Sequence, residues 1–294
     1  AIRFRRQLGF EPAAGLLDAV RDSRERLRII SMERVRDELV KMLAIESADL
    51  CMADLMELDV MPVFAPELAE MKGVEGGKYH HLDVWGHTLA VLRNVGPGDL
   101  TLSLAALLHD VGKPPTRFVD ERGDTRFFGH EAVGAELARQ MLRRLKFSNE
   151  QIDPVVRLVR SHMRLGSSPQ FSASAARRVL RDLGEDVPRL LALVEADTKG
   201  LKKGLKLLDL APIRRRLEEV SRATPRAALE SPLSGEEIMQ VAGIGAGPKV
   251  GELKQMLIEH VLDGTLEPGD KEGAQILLRS AIARGDHTGP SRGA

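Results

Sequence analysis

The amino-acid sequence predicts an all-α, multi-helix fold, and three observations support this. Aromatic residues, which favour strands, make up only 3% of the 294 residues, with a single Trp and a single Tyr. Leu, Ala, Arg and Glu, which favour helices, are abundant. Apolar residues recur at helical spacing, and few stretches alternate apolar and polar residues as a half-buried strand would.

Composition limits the class of protein. Hydrophobic residues make up 43% of the chain and charged residues 29%, which is typical of a globular protein large enough for two or three domains. Basic and acidic residues number 43 each, so any nucleic-acid binding must depend on local patches. Cys51 is the only cysteine, which excludes a disulfide within the chain and fits the cytoplasm. No apolar run is long enough to span a membrane, and no signal peptide is recognisable.

The first helix is predicted from residue 1 and ends at Gly9, with no capping residue and no Met before it. We interpret this start as a chain cut from something longer, with a processed N-terminus as the alternative. Further helices are predicted between Pro12 and Leu68, one of them capped by Ser31. The glycine-rich stretch 71–78 is predicted to be a linker.

The most informative stretch is 100–114, where an apolar helix leads directly into His109 and Asp110. The residues from Leu100 to Leu108 predict a helix buried on most faces, and Gly112 is predicted to end it as a left-handed cap. An imidazole beside a carboxylate suits Mn, Fe, Co, Ni or Zn better than Ca.

Four further metal-competent side chains lie next to apolar helix faces. Each could be an ordinary core residue, but a carboxylate is costly to bury unless it is paired or bound to a metal. His162 is placed late in a helix that Asp153 is predicted to cap. Together with the His-Asp pair, this pattern predicts a metal site. The four are His87, His130, His162 and Asp197.

The order of His87, His109-Asp110 and Asp197 resembles the HD phosphohydrolase superfamily, and His130 and His162 resemble the additional histidines of its two-metal members. Segments 2–10, 30–39 and 232–251 extend the resemblance to the bacterial tRNA nucleotidyltransferase (CCA-adding) and poly(A) polymerase family. The resemblance covers the chain to about Arg279 and implies four regions. They are a helical neck and body (1–75), an HD domain (76–206), a helical tail (207–284) and a flexible end (285–294).

Carried over to this sequence, the resemblance implies His87, His109, Asp110 and Asp197 as ligands of a first metal ion. His130 and His162 are implied for a second ion, bridged by Asp110. The cofactor is then one or two divalent ions, with Ni, Mn, Co, Fe, Mg and Zn all open. We expect a metal-dependent phosphohydrolase of the 2′,3′-cyclic phosphodiesterase or phosphatase type, in which Asp110 and Lys113 are catalytic.

The nucleotidyltransferase head of that family is not found in the sequence, so nucleotidyl transfer is not expected from this chain alone. Two alternatives stay open: a non-catalytic fragment that binds and positions tRNA, and, more weakly, an HD hydrolase of nucleotides. The expected partners are tRNA or an RNA 3′ end and a small phosphoester substrate. No membrane partner is expected, and whether the chain forms a homodimer stays open.

Basic residues cluster in the middle third of the chain and predict phosphate contacts. Aromatic residues are too sparse there to suggest base stacking, so recognition of the tRNA backbone and shape fits better. The predicted RNA-binding residues are Arg139, Arg143, Arg144, Arg177, Arg178, Lys202 and Lys203.

Overall fold

The computed structural model describes residues 1–76, 82–166, 171–201 and 208–284. Apart from short 3₁₀ turns, these residues form seventeen α-helices and one small hairpin, which confirms the all-α prediction. The helices are α1 (Ile2–Leu8), α2 (Leu16–Asp22), α3 (Met32–Leu43), α4 (Ala48–Glu57), α5 (Met61–Phe64), α6 (Pro66–Ala69), α7 (Val84–Val95), α8 (Leu100–Leu108), α9 (Lys113–Thr116), α10 (His130–Arg144), α11 (Asn149–Ser161), α12 (Ala173–Leu183), α13 (Val187–Lys199), α14 (Leu210–Ala223), α15 (Gly235–Ala242), α16 (Pro248–Asp263) and α17 (Lys271–Arg284).

The described residues form two compact units. Of the described residues, one unit comprises 1–76, 82–166, 185–201 and 208–210, and the other comprises 171–184 and 211–284. The four regions expected from the sequence, with boundaries near residues 75, 206 and 284, stay a prediction. Among the described helices, none is long and apolar enough to cross a membrane.

The first unit is built around α8, whose last six residues are buried as its apolar sequence predicts. Helix α8 packs against α7, α11 and α13, and α10 packs against α11. The N-terminal helices join the same bundle, since α3 packs on α8, and α4 packs on α7. Leu104, Leu107, Leu108, Met141 and Leu142 lie fully buried in this core.

Two local predictions about helix ends need correction. Gly112 is not a left-handed cap, because its φ angle is −81°. It is required for close packing instead: a Cβ atom there would lie 2.1 Å from the carbonyl oxygen of His130 and 2.6 Å from the nitrogen of Gly134. Nor does Asp153 cap a helix. Ser148 caps α11 through a capping box, and Asp153 lies inside the helix, where it binds Arg139.

A short hairpin interrupts the helices before α10. Strands β1 (Phe118–Val119) and β2 (Thr125–Arg126) pair antiparallel, and Phe118 lies opposite Arg126. In the turn, the Oδ1 atom of Asp120 accepts hydrogen bonds from the backbone nitrogens of Arg122 and Asp124. The sequence analysis did not predict this hairpin, because two-residue strands are too short to show alternation.

The second unit has its own core, in which α15 packs against α16 and α17. Ser234 begins α15 with a capping box, and Gly243 ends it with a φ angle of 65°. Fully buried residues of this core include Leu257, Val261 and Leu278.

Candidate metal centre

The six predicted ligands come together in the first unit, because each lies at or near a helix end. His87 lies in the first turn of α7, His130 begins α10, and Asp197 lies in the last turn of α13. His109 and Asp110 directly follow α8, and His162 directly follows α11. Two groups could each hold an ion, with ligand atoms within 4.8 Å of one another: His87, His109 and Asp110, and Asp110, His130 and His162. We call these the inner group and the outer group.

Three of the histidines are oriented in the same way. Their Nδ1 atoms lie 2.7–2.8 Å from the backbone oxygen of the residue three positions earlier. A carbonyl oxygen can only accept a hydrogen bond, so each Nδ1 carries a proton, and in the neutral form of each ring Nε2 is left unprotonated. The three pairs are His109 with Ala106, His130 with Phe127, and His162 with Val159.

The unprotonated nitrogens converge. The Nε2 atoms of His130 and His162 are 3.2 Å apart, and the Oδ1 atom of Asp110 lies 3.5 Å from the first and 3.9 Å from the second. The Nε2 of His109 makes no hydrogen bond to any described residue, although Oδ2 of Asp110 is 3.2 Å away. Lone pairs that face one another in a buried site need a proton or a cation between them, so this donor set fits divalent metal ions.

Asp197 and Lys113 complete the charge balance. The Oδ1 atom of Asp197 lies 2.8 Å from Nε2 of His87, and the Nζ of Lys113 donates to Oδ2 of Asp110 at 2.6 Å. Lys113 begins α9 and is buried, so it neutralises Asp110 rather than a helix C-terminus. The predicted catalytic roles of Asp110 and Lys113 stay predictions.

The protonation states of the site suit metal binding. Burial alone would raise the pKa of Asp110, but the neighbouring charges of His109 and Lys113 hold that pKa well below its usual range. Burial likewise opposes the low pKa of Asp197, which a hydrogen bond from His87 brings to about 2. Burial, with the charges of His109 and His130, lowers the pKa of His162 to about 4. Near neutral pH both carboxylates are therefore charged and His162 is neutral, as metal ligation requires, whereas the raised pKa of His109 means that an ion must displace a proton there.

A cavity of about 380 Å³ opens onto the outer group. Asp110, His130, His162 and Asp197 line it, whereas His87 and His109 do not. The hairpin contributes part of the wall that sequence reasoning missed. The further lining residues are Gly76, Lys113, Asp124, Thr125, Arg126, Phe127, Phe128, Met163 and Leu201.

Most of the predicted RNA-binding arginines bind groups of their own chain. Arg139 pairs with Asp153, and Arg144 forms two hydrogen bonds to Glu67. In the second unit, Arg177 donates to the carbonyl oxygen of Leu262, and Arg178 pairs with Glu259 and Asp263. Arg143 is exposed and makes no ion pair within the described part of the chain. Lys202 and Lys203 lie outside the described residues.

Comparison with known proteins places these features in a family. Residues 78–217 match the family described as "HD domain", and residues 9–72 match "Probable RNA and SrmB- binding site of polymerase A". The chain is 38% identical to the CC-adding tRNA nucleotidyltransferase of Thermus thermophilus, over 84% of this chain and 56% of the relative. It is 36% identical to the A-adding tRNA nucleotidyltransferase of Deinococcus radiodurans, over 80% of this chain and 55% of the relative. The chain belongs to the tRNA nucleotidyltransferase and poly(A) polymerase family.

The fold of the chain resembles that of a solved structure. The crystal structure of the Bacillus stearothermophilus CCA-adding enzyme in complex with CTP aligns with 98% of this chain and 62% of that protein, with a TM-score of 0.62 and 20% sequence identity. The chain spans about half the length of the curated nucleotidyltransferases it matches. The expectation that the chain lacks a catalytic head stays a prediction.

The family corrects one expectation. The sequence analysis predicted a metal-dependent phosphohydrolase and did not expect nucleotidyl transfer from this chain alone, and this is wrong, because the relatives are named for CC and A addition to tRNA. The error has a physical origin. Clustered His and Asp side chains show that a site can hold metal, but the same ligands serve several chemistries and do not by themselves define the reaction.

Proposed function

We propose that this chain holds tRNA in a protein that adds nucleotides to tRNA 3′ ends. One observation carries the proposal: a segment that matches an RNA-binding family (9–72) precedes an HD domain (78–217) in a chain that is 38% identical to a CC-adding tRNA nucleotidyltransferase. This function corresponds to the tRNA-positioning alternative that the sequence left open.

The packing of the first unit supports this function. The RNA-binding segment contains α3 and α4, which pack directly on α8 and α7 of the HD bundle. Both regions therefore belong to one compact body that can offer a single surface to a folded RNA.

Exposed arginines of the first unit could contact RNA phosphates. Arg26 and Arg34 in the RNA-binding segment, and Arg143 and Arg160 in the HD bundle, are exposed and form no ion pair with any residue that the structure describes. Unpaired arginines can bind phosphates without first breaking an internal salt bridge. Arg143 is the one predicted RNA-binding residue with this property in the described ranges, and we propose it as a phosphate contact.

We also propose that His87, His109, Asp110 and Asp197 bind a divalent ion and that Asp110, His130 and His162 bind a second. The lone pairs facing one another in both groups support this assignment. Bound ions would add positive charge beside the cavity and hold together the helix ends that carry the ligands.

The direct test is tRNA binding over a range of salt concentrations, measured by fluorescence anisotropy with a labelled tRNA that lacks its terminal nucleotides. We expect saturable binding that weakens with salt. In Arg143→Ala the magnitude of the slope of log K against log salt should fall by about one, because one phosphate contact is lost. Arg143→Lys, which keeps the charge, is the matched control and should retain the slope.

Equal affinity for tRNA and for a DNA duplex of matched charge would contradict the proposal, because that result would show attraction to any polyanion. An unchanged slope in Arg143→Ala would remove Arg143 from the interface.

A further inference from the structure

Two phenylalanines form an exposed aromatic pair beside the cavity. Phe118 is 42% exposed and Phe128 is 75% exposed, and their ring centroids lie 5.4 Å apart with a tilt of 37°. The sequence has only eight Phe residues, and these two are ten positions apart. The hairpin brings them together and so creates an aromatic surface that the sparse distribution of aromatic residues did not predict.

The hairpin holds the pair in a fixed position against the cavity wall. Arg126 binds Asp120 at 2.8 Å and Asp124 at 3.1 Å, so one side chain ties the turn to β2. The next residue, Phe127, accepts a hydrogen bond from Nδ1 of His130 through its carbonyl oxygen, and its ring lies 5.6 Å from the Nζ of Lys113. Phe128 therefore extends from a backbone segment that also orients a ligand of the outer group.

The geometry defines which face is available. At 5.4 Å the two rings already contact one another, so nothing can be inserted between them. Phe118 supports Phe128 from one side, and the more exposed ring of Phe128 leaves an open face. A flat ligand can stack on that face.

The surroundings favour a nucleic acid as the ligand. Phe128 lines a cavity in which Lys113 and Arg126 are both paired with carboxylates of the same wall, so the charges available to a phosphate lie on the hairpin beside it. On the same hairpin Arg117 and Arg122 are exposed with no ion pair in the described part of the chain, as is Glu121, whereas the two aspartates are bound to Arg126. Charged residues thus border the rings, and the apolar area is smaller than a protein interface needs.

We propose that Phe118 and Phe128 form a stacking platform for an unpaired nucleobase of bound RNA, with the adjoining phosphates bordered by Arg117 and Arg122 of the same hairpin. The proposal rests on the proposed function in that the RNA is tRNA. Stacking on an aromatic ring accepts any base, because every base has a π-face. The platform therefore contributes affinity and positioning without reading sequence.

The test uses the full chain and tRNA carrying 2-aminopurine at each unpaired 3′-terminal position in turn, because stacking quenches the fluorescence of this base. We expect quenching at one position with the native chain, loss of quenching with Phe128→Ala, and retention with Phe128→Trp. Val119→Ala is the matched control, because Val119 is an exposed apolar residue of the same hairpin that follows Phe118 and so points to the opposite face. Thermal unfolding of each variant shows that the fold is kept.

A second arm separates this proposal from the proposed function. A four-nucleotide RNA with a terminal 2-aminopurine should bind roughly 5- to 100-fold more weakly to Phe128→Ala than to the native chain. If tRNA fails to bind but the short RNA shows this loss, the proposed function fails and the platform stands. If quenching and affinity are the same in native chain and Phe128→Ala, the platform is overturned. The platform is equally overturned if the substitution changes only the sedimentation of the protein, because the rings would then contact a second copy.

Discussion

The inner and outer groups share Asp110 but differ in depth and charge. His87 and His109 of the inner group are each 1% exposed and do not line the cavity, whereas His130 and His162 do. The inner group also has Asp197 within 2.8 Å of His87, so two carboxylates serve it. The outer group has a single carboxylate oxygen, Oδ1 of Asp110, for two imidazoles.

This difference predicts unequal metal affinities. Two carboxylates balance the charge of a divalent ion in the inner group, and burial strengthens that attraction. An ion in the outer group would be less well compensated and would border the cavity, where solvent and phosphate can reach it. We expect the inner ion to be tightly held and the outer ion to exchange more readily.

The largest effect is expected from Asp110→Asn, since this residue supplies both groups. The substitution keeps the size of the side chain but removes the charge that both ions share, so both should be lost. We expect affinity for Mn²⁺ and Zn²⁺ to fall by at least about 100-fold, because losing a side chain that only hydrogen-bonds to a metal ligand already costs roughly 10- to 100-fold in metal affinity. Isothermal titration calorimetry with metal-stripped protein measures this.

The variant also leaves the buried Lys113 without its 2.6 Å partner, which destabilises the chain independently of metal. The double variant Asp110→Asn, Lys113→Met is therefore the control, because it removes both charges. Native-like metal binding by the folded double variant would contradict the shared role of Asp110.

The sequence could name the six ligands as candidates, because each lies next to an apolar helix face that can be recognised from periodicity, and their metal-binding role stays a prediction. It could not predict their grouping or the orientation of the rings. The hydrogen bonds from Nδ1 to the carbonyl oxygen three residues earlier are found here where a helix or turn ends at the histidine, and the spacing alone does not reveal where that happens. Gly112 was predicted to be a left-handed cap, whereas glycine is needed there because the backbone of α10 lies too close for a side chain.

The arginines show a second limit of sequence reasoning. Arg143 and Arg144 are adjacent and were predicted to have the same role, yet Arg144 binds Glu67 while Arg143 is exposed. The partner of Arg144 lies 77 residues away along the chain, so only the folded structure distinguishes the two.

A smaller effect is expected when one group alone is damaged. His162→Ala should remove the outer ion and leave the inner one, so the number of bound ions should fall from two to one with the tighter ion retained. His87→Ala should weaken the tighter ion instead. Elemental analysis after dialysis gives the number of ions, and titration calorimetry identifies which affinity is lost. Equal losses in both variants would show that the groups act as a single site.

The smallest effect concerns the stability of the metal-free chain in acid. Residues of the inner and outer groups should affect that stability in different pH ranges. The pKa of His162 is about 4 in the folded chain, below its ordinary value of 6.5, so the unfolded chain takes up a proton that the folded chain resists. Stability should therefore fall as the pH drops from about 6.5 to 4, by about 3 kcal/mol in total. Asp197, with a pKa of about 2 against an ordinary 3.8, should lower the stability further only below that pH range.

Unfolding temperatures in the presence of EDTA between pH 4 and 7 test this. His162→Gln should flatten the profile over this interval, because it removes the outer-group histidine that resists protonation. A profile as steep as that of the native chain would show that another group causes the acid sensitivity.

The raised pKa of His109 acts in the opposite sense, since its stabilising charge is present at low pH and is lost as the pH rises through that pKa. In the metal-free chain at acid pH, protonation of His109 therefore stabilises the inner group, whereas protonation of His162 destabilises the outer group.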